Sequence, residues 1–258
     1  MKELHYRSLP EETLRIPLPN TDNLHIKGVL RGSLDGPVVV MMHGRPGYGN
    51  EMLQYLAAHY LHEEGFTTLR LWMYDWEPGT RNLLDCTLDT HVSDFDTVVA
   101  YLRARGAREV FAEGHSYGGI TILKSQAKIN GAVLWDPTHS GYWLERPDGD
   151  PEFPERLIGE YSIGLVGAGS VVARKASDYD RALEDTTQWA AHKGYPLEII
   201  TAGKGVMVHL AKQYIEVADS PKRHIIIPDA RHQLNDSDEV VFTVLQETAE
   251  WLKEIQRG

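Results

Sequence analysis

Short apolar runs alternate with longer amphipathic segments along this chain. Eight runs are rich in aliphatic and β-branched residues, as buried strands are, and they span residues 13–17, 24–30, 38–42, 67–73, 110–112, 132–135, 197–201 and 224–227. Five segments place apolar residues at spacings of three and four, the period of an amphipathic helix, and they span residues 51–64, 90–105, 117–127, 208–217 and 236–256. This alternation predicts an α/β fold with a doubly wound, mostly parallel sheet of eight strands.

The start of the chain departs from this alternation. No helical pattern separates the first two strands, so we expect them to form an antiparallel hairpin at the edge of the sheet. The first helical segment carries four large apolar residues at helical spacing, and we expect them to form its buried face: Met52, Tyr55, Leu56 and Tyr60.

A long segment separates the sixth and seventh strands. Residues 138–195 are too many for a compact connection, and we interpret them as a small cap or lid on a core domain formed by residues 1–137 and 196–258. The alternative is that this segment has only a structural role. Near the start of this segment, Tyr142 and Trp143 are candidates for lining an apolar acyl or alcohol pocket, and their alternative role is packing inside the cap.

The composition is that of a globular protein, with 42% apolar and 24% charged residues among 258. A net charge of −11 argues against a nucleic-acid partner, which needs clustered Lys and Arg. The apolar runs are too short to cross a bilayer, and the first residues lack the apolar core of a signal peptide. Cys86 is the single cysteine, which excludes an internal disulfide. We therefore expect a cytoplasmic protein with neither membrane nor nucleic acid as a partner.

One short motif carries most of the chemical information. The stretch Gly114-His115-Ser116-Tyr117-Gly118 follows an apolar strand run and opens a helical segment. In a strand–turn–helix context, a G-x-S-x-G pattern puts the serine at the tip of a sharp turn, where the glycines let strand and helix pass closely. We therefore expect Ser116 to be a nucleophile. Because a serine hydroxyl attacks only when a base takes its proton, a histidine must lie within hydrogen-bonding reach.

Three landmarks together resemble the α/β-hydrolase superfamily, and in particular its serine esterase branch. They occur in the superfamily's order at the ends of predicted strands: HGRPG at 43–47, GHSYGG at 114–119 and DARH at 229–232. The resemblance covers roughly residues 10–256 and implies the α/β-hydrolase fold with a Ser-His-Asp triad. In this superfamily the sharp turn that carries the nucleophile is called the nucleophile elbow. A serine at the elbow, here Ser116, argues against the dehalogenase and epoxide-hydrolase branches, which use aspartate there.

The expected base is His232. This residue follows the last strand, and in a parallel sheet the residues just past the strand ends collect at one edge, where Ser116 also lies. His139 is a rival base because it lies close to Asp136 in the sequence.

The acid departs from the commonest superfamily pattern. That pattern places an aspartate after the seventh strand, where this chain has Gly205. Some members place the acid after the sixth strand instead, and Asp136 stands there, beside the nucleophile's strand. We expect Asp136 to orient His232, although it could merely cap the next turn. Two other residues are rival acids: Asp229 and Asp236.

The resemblance also implies an oxyanion hole of two backbone N–H groups, those of Tyr117 and Arg45. In relatives with an H-G-x-P pattern this loop often contains a cis proline, so we expect a cis Arg45–Pro46 bond. The Arg45 side chain either stays on the surface or meets an acidic group of the substrate. Glu113, directly before the elbow, is a charge that this interpretation does not explain.

Taken together, the residues and the resemblance predict a hydrolase that cleaves a small carboxylic ester, or a thioester, through an acyl-enzyme. Lactones and small amides would use the same machinery. No metal or organic cofactor is needed, and the expected partner is the small-molecule substrate, with a homodimer left open. Two alternatives are a catalytically silent binding protein on this fold and a cofactor-free perhydrolase or haloperoxidase with the same triad.

Overall fold

The computed structural model describes residues 11–140 and 185–257, and between them the backbone of three short strands at 156–158, 161–166 and 169–174. Eight strands form the main sheet: β1 Glu11–Pro17, β2 His25–Arg31, β3 Val38–Met42, β4 Thr67–Trp72, β5 Val110–His115, β6 Gly131–Trp135, β10 Leu197–Ala202 and β11 Lys222–Ile227. The other three strands form a separate sheet: β7 Arg156–Ile158, β8 Tyr161–Val166 and β9 Gly169–Arg174.

The main sheet has the order β1-β2-β4-β3-β5-β6-β10-β11. Its first two strands form an antiparallel hairpin at the edge, β2 also pairs antiparallel with β4, and the remaining pairs are parallel. This arrangement confirms the predicted fold class and the predicted edge hairpin.

Five helices flank the main sheet in the described residues: α1 Met52–Glu63, α2 Leu88–Ala104, α3 Tyr117–Lys124, α4 Met207–Val217 and α5 Asp238–Arg257. Helix α2 begins two residues before the predicted start because Thr87 and Thr90 form a reciprocal capping box. Two 3₁₀ helices, Leu83–Asp85 and Thr186–Ala190, complete the described elements.

The central strands are buried on both faces, which explains why they read as continuous apolar runs. On one face, α1 and α5 pack over side chains that include Val39, Phe111 and Trp135. On the other face, α2, α3 and α4 cover side chains that include Val40 and Ala112. Every central strand therefore contributes to two cores at once.

The buried face of α1 differs from the prediction. Leu53, Ala57 and Leu61 face the sheet, whereas Met52 is 52% exposed. Two apolar stripes at helical spacing run along this segment. The stripe that includes Ala57 and Ala58 lets the helix lie closer to the sheet, and the larger residues Leu56 and Tyr60 pack at its margin.

The long segment after β6 contains the three-stranded antiparallel sheet, which the sequence pattern did not indicate. Tyr142 and Trp143 lie outside the described residues, so their predicted role and the predicted cap boundaries stay predictions. In the part of the chain that the structure describes, no helix is both long and apolar enough to cross a bilayer.

The topology brings three loops to one edge of the sheet. Strands β5 and β6 are parallel neighbours, and their register pairs His115 with Trp135. The residues that follow, Ser116 and Asp136, therefore leave the sheet side by side. Strand β11 runs in the same direction and leads into the loop that carries His232 at this edge.

Candidate active site

Ser116 occupies a strained turn between β5 and α3. Its backbone has φ 52° and ψ −111°, in a region that L-residues rarely adopt. Its N–H donates to the Trp135 carbonyl at 2.9 Å, which extends the β5–β6 ladder by one residue. The helix then begins at once, so the Ser116 side chain stands at the tip of the turn, 8% exposed.

The turn depends on close backbone approaches. A Cβ on Gly118 would lie 2.5 Å from the Met42 carbonyl oxygen, and one on Gly114 would lie 2.7 Å from the Gly118 carbonyl carbon. No side chain fits at either place without moving backbone. The two glycines of the motif therefore set how closely α3 passes β3 and β5, and with it the position of Ser116.

His232 and Asp136 converge on Ser116. The His232 Nε2 atom is 3.0 Å from Ser116 Oγ, and its Nδ1 atom is 2.6 Å from Asp136 Oδ2. The His232 side chain is 27% exposed, whereas the Asp136 side chain is fully buried. Because a carboxylate oxygen accepts, the Nδ1 atom carries the ring proton, and Nε2 is left as the acceptor that faces the serine.

The Asp136 carboxylate also accepts a hydrogen bond from the neighbouring strand β10. The Ala202 N–H, at the end of β10, donates to Asp136 Oδ1 at 3.0 Å, and the Asp136 N–H donates to the Ile200 carbonyl at 2.7 Å. At Gly205, where the commonest superfamily pattern places the acid, an added Cβ would lie 3.7 Å from the Ala202 carbonyl oxygen, in ordinary contact. In this chain the end of β10 therefore supplies a backbone donor to the Asp136 carboxylate.

The rival residues point elsewhere. The Asp229 side chain is 89% exposed and lies 3.4 Å from Lys204, and Asp236 forms a 2.6 Å ion pair with Arg231. His139 Nε2 lies 3.1 Å from Thr187 Oγ1. Among the residues weighed from the sequence, Ser116, His232 and Asp136 are the three that the structure brings into contact.

The loop after β3 passes over Ser116. A Cβ on Gly44 would be 3.1 Å from both Ser116 Cβ and His115 Nδ1. The His43 ring donates from Nδ1 to the Gly44 carbonyl at 2.7 Å and accepts from the Met73 N–H at 3.2 Å. Since the Gly44–Arg45 peptide is trans, this contact turns the Arg45 N–H away from His43. The Arg45–Pro46 bond is cis, as predicted.

The Arg45 side chain lies against the helix that follows the elbow. Its guanidinium carbon is 5.1 Å from the centroid of the Tyr117 ring, in the geometry of a cation–π contact. The side chain is half-buried rather than fully exposed. It therefore places a positive charge beside Tyr117, the other residue with a predicted oxyanion donor.

Two histidines near Ser116, His43 and His115, are buried. Burial lowers the pKa of His43 and of His115 to about 4 in each case. His115 Nε2 donates to the His232 carbonyl at 2.9 Å, and the two rings lie in contact at a tilt of 37°, with centroids 4.9 Å apart. His115 therefore fixes the backbone of the loop that carries His232. Nothing in the sequence pattern indicates this contact beyond the position of His115 in the motif.

Glu113 lies below the elbow and is fully buried on the α1 side of the sheet. Burial raises the pKa of its carboxyl well above the usual range, and nearby Glu51 adds to the shift. Gln54 is the polar side chain beside it. In the described residues, neither oxygen of Glu113 nor Gln54 Oε1 has a hydrogen-bond partner. The charge that the sequence left unexplained is thus a buried carboxyl group whose neutral form is favoured by its surroundings.

A polar pocket of about 240 Å³ opens between the start of α1 and the loop that carries His232. Tyr48, Glu51, Gln54, His115 and Asn235 contribute to its walls. Burial raises the pKa of Glu51 to about 7. Gln233, the residue that follows His232, also lines the pocket.

The sequence of the chain supports the same picture as the geometry. A sequence model of the alpha/beta hydrolase family matches residues 39–252, most of the chain and all three landmarks. This chain belongs to the alpha/beta hydrolase family. Among curated proteins, none matches this alpha/beta hydrolase.

Solved structures share the fold of this alpha/beta hydrolase at low identity. Est1E from Butyrivibrio proteoclasticus, solved with ferulic acid, is 18% identical with a TM-score of 0.76, and the match covers 95% of this chain and 100% of Est1E. A hydrolase from Agrobacterium vitis S4 is 14% identical with a TM-score of 0.73, over 93% and 98% of the chains. A monoacylglycerol lipase from Paleococcus ferrophilus is 17% identical with a TM-score of 0.65, over 89% and 99%.

Proposed function

We propose that this alpha/beta hydrolase is a serine esterase that cleaves small carboxylic esters, or thioesters, through an acyl-enzyme. The observation that carries the proposal is the continuous chain from the Asp136 carboxylate through both nitrogens of His232 to Ser116 Oγ, with contacts of 2.6 and 3.0 Å. Each contact is short enough for direct proton transfer or hydrogen bonding.

In the acylation step, Ser116 Oγ attacks the carbonyl carbon while its proton passes to His232 Nε2. The C–O bond forms, the carbonyl π electrons move to oxygen, and the Tyr117 and Arg45 N–H groups receive the resulting oxyanion. His232 then returns the proton to the leaving alcohol or thiol. Asp136 holds the imidazole tautomer and stabilises its charged form throughout.

In the second half-reaction, a water molecule repeats this sequence. His232 Nε2 takes a proton from the water as it attacks the acyl carbon, and the proton passes to Ser116 Oγ when the ester bond breaks. The products are a carboxylic acid and the free serine. Every step uses side chains or backbone donors that this chain itself supplies.

We propose carboxylic esters as the substrate class. The similar folds include Est1E, whose structure holds ferulic acid, and a monoacylglycerol lipase, which makes carboxylic esters the first class to test. We propose that Tyr142 and Trp143 line the acyl or alcohol pocket, as the sequence suggests.

A fluorophosphonate probe tests the proposal directly, because it phosphonylates an activated serine. We expect one equivalent of label on Ser116, located by peptide mass spectrometry, and none on Ser116→Ala. A panel of p-nitrophenyl esters of increasing chain length then defines the acyl preference. A folded wild-type protein that stays unlabelled would instead support the silent binding protein.

A further inference from the structure

A second hydroxyl lies beside the nucleophile. Thr138 Oγ1 is 3.3 Å from Ser116 Oγ, and the residue follows Asp136 and Pro137 at the end of β6. Thr138 is 8% exposed, the same fraction as Ser116. The superfamily resemblance assigned no role to this position, and none of the steps above uses it.

The backbone of Thr138 is held without help from its side chain. Its N–H donates to the Ser116 carbonyl at 3.1 Å, and its own carbonyl accepts from the Tyr214 hydroxyl at 2.8 Å. Tyr214 is fully buried in α4 and also contacts Thr186 Oγ1 at 2.9 Å. The hydroxyl of Thr138 is therefore not needed to fix this segment, because two backbone hydrogen bonds already hold it beside Ser116.

The positions of the protons in the site decide which of the two hydroxyls donates in this contact. The Asp136 carboxylate accepts from His232 Nδ1, so His232 Nε2 carries no proton and must accept from Ser116. The single proton of Ser116 Oγ is thereby used, and only its lone pairs remain. In the contact between the two hydroxyls, Thr138 is therefore the donor and Ser116 the acceptor.

This donor has a chemical consequence at the reacting atom. A hydrogen bond from Thr138 occupies one lone pair of Ser116 Oγ and disfavours rotation of the serine hydroxyl away from His232. The other lone pair stays available for attack on the carbonyl carbon. As the Ser116 proton moves to His232, negative charge grows on Oγ, and a hydrogen bond to an ionised oxygen is stronger than one to a neutral hydroxyl.

We propose that the Thr138 hydroxyl is a second hydrogen-bond partner of the nucleophile, which orients Ser116 Oγ and stabilises it while its proton is on His232. This inference rests on the proposed function, since it assigns a role within the same reaction. Within residues 11–140 and 185–257, Ser116 is the only hydrogen-bond partner of the Thr138 hydroxyl, which leaves the hydroxyl without a competing structural task.

The test uses the rate of fluorophosphonate labelling at saturating probe. Thr138→Val keeps the shape and removes the donor, and we expect about a tenfold slower labelling rate (about 1.4 kcal/mol) with an unchanged half-saturating concentration. Thr138→Ser restores the hydroxyl and should restore most of the rate. The matched control is Thr68→Val, which removes another buried hydroxyl, one that contacts the Ala58 carbonyl from β4.

The outcomes separate this inference from the proposed function. If the folded wild-type protein is not labelled, the proposed function fails and this inference fails with it. If wild type is labelled but Thr138→Val is labelled as fast, or Thr138→Ser is as slow as Thr138→Val, the hydroxyl has no role and only this inference fails.

If Thr138→Val does not fold, a second pair of variants tests the role of the Thr138 hydroxyl. Thr138→Ser and Thr138→Cys both lack the methyl group, and they differ in that a thiol is a weak donor. We expect the cysteine variant to be labelled at Ser116 about tenfold more slowly than the serine variant. Equal rates for the two would overturn the inference.

Discussion

At the scale of single residues, Asp136 shows what the sequence could and could not reveal. Its position after β6 and the glycine at the usual acid position were both readable from the chain. Its positive φ of 42° and the donor from Ala202 were not, because both depend on how β6 and β10 meet in space. A carboxylate held from two sides is well suited to orient an imidazole.

Asp136→Asn should lower turnover by about 10⁴, because an amide can donate to Nδ1 and so favour the wrong His232 tautomer. Ester hydrolysis and probe labelling measure the loss. Asp229→Asn is the matched control, since its side chain is 89% exposed and forms an ion pair with Lys204. Comparable activity of the Asp136 and Asp229 variants would reject the assignment of the acid.

Glu113 illustrates the opposite case, in which the sequence carried a signal without an explanation. A charged residue in the centre of a buried strand is unusual, and local patterns cannot tell whether a partner or a proton neutralises it. The fold supplies the answer through the surroundings: Glu113 faces α1, with Gln54 as its polar neighbour and Glu51 nearby.

Glu113→Gln should stabilise the protein at neutral pH. The folded pKa of Glu113 is raised, so above the usual value of 4.5 the unfolded chain releases a proton that the folded protein retains. Wild-type stability should then fall, relative to the variant, by about 1.4 kcal/mol per pH unit up to the folded pKa. Urea unfolding at pH 4 and pH 7 measures the difference.

The control for that experiment is Glu12→Gln, which removes one charge from an exposed position in β1. It accounts for the change in net charge, and its stability difference from wild type should lack the steep slope. A Glu113→Gln variant that is less stable than wild type at pH 7 would mean that the carboxylate has a charged partner.

At the scale of elements, the apolar pattern placed each strand of the main sheet within two or three residues, because strands buried on both faces are unbroken apolar runs. It failed for α1, where two apolar stripes compete and only the packing distance decides between Leu53 and Met52. It also missed β7, β8 and β9, which lie outside the repeating strand–helix rhythm.

The junction of β3, β5 and α3 supports a prediction at this scale. Gly118→Ala puts a Cβ at 2.5 Å from the Met42 carbonyl oxygen, so α3 must move away from β3. We expect a loss of about 1–3 kcal/mol in the free energy of unfolding and slower labelling of Ser116, since the elbow moves with the helix. Denaturant unfolding and the labelling rate measure the two effects.

Gly36→Ala is the matched control, because a Cβ there meets no atom within 4 Å. The backbone of Gly36 does not have positive φ, and the substitution should leave stability unchanged or raise it slightly. Equal stability of both alanine variants would show that the turn tolerates a side chain at Gly118.

At the scale of the whole molecule, the main sheet joins two cores. The α1 and α5 side and the α2, α3 and α4 side both pack on the same central strands. Loss of the sheet exposes both cores together, so we expect the described core to unfold in one transition. The proposed catalytic residues lie where these layers meet, with Ser116 between β5 and α3.

Cys86 offers a reporter of that transition because it is the single cysteine of the chain. It is 2% exposed, and burial raises its pKa to about 12. At pH 8 roughly one thiol in ten thousand is then ionised, so the native protein should react very slowly with a disulfide reagent such as DTNB. The unfolded chain should react at once with one equivalent.

Pulsed labelling of Cys86 across a guanidinium titration should follow the loss of helical circular dichroism, with the same midpoint. Circular dichroism reports helices on both faces of the sheet, whereas Cys86 reports the side of α2, so coincident midpoints require the two cores to unfold together. Cys86→Ser has no thiol and provides the background of the labelling signal. Labelling that begins at a lower guanidinium concentration than the change in circular dichroism would show that the segment around Leu83–Asp85 opens by itself. That result would contradict a single cooperative transition.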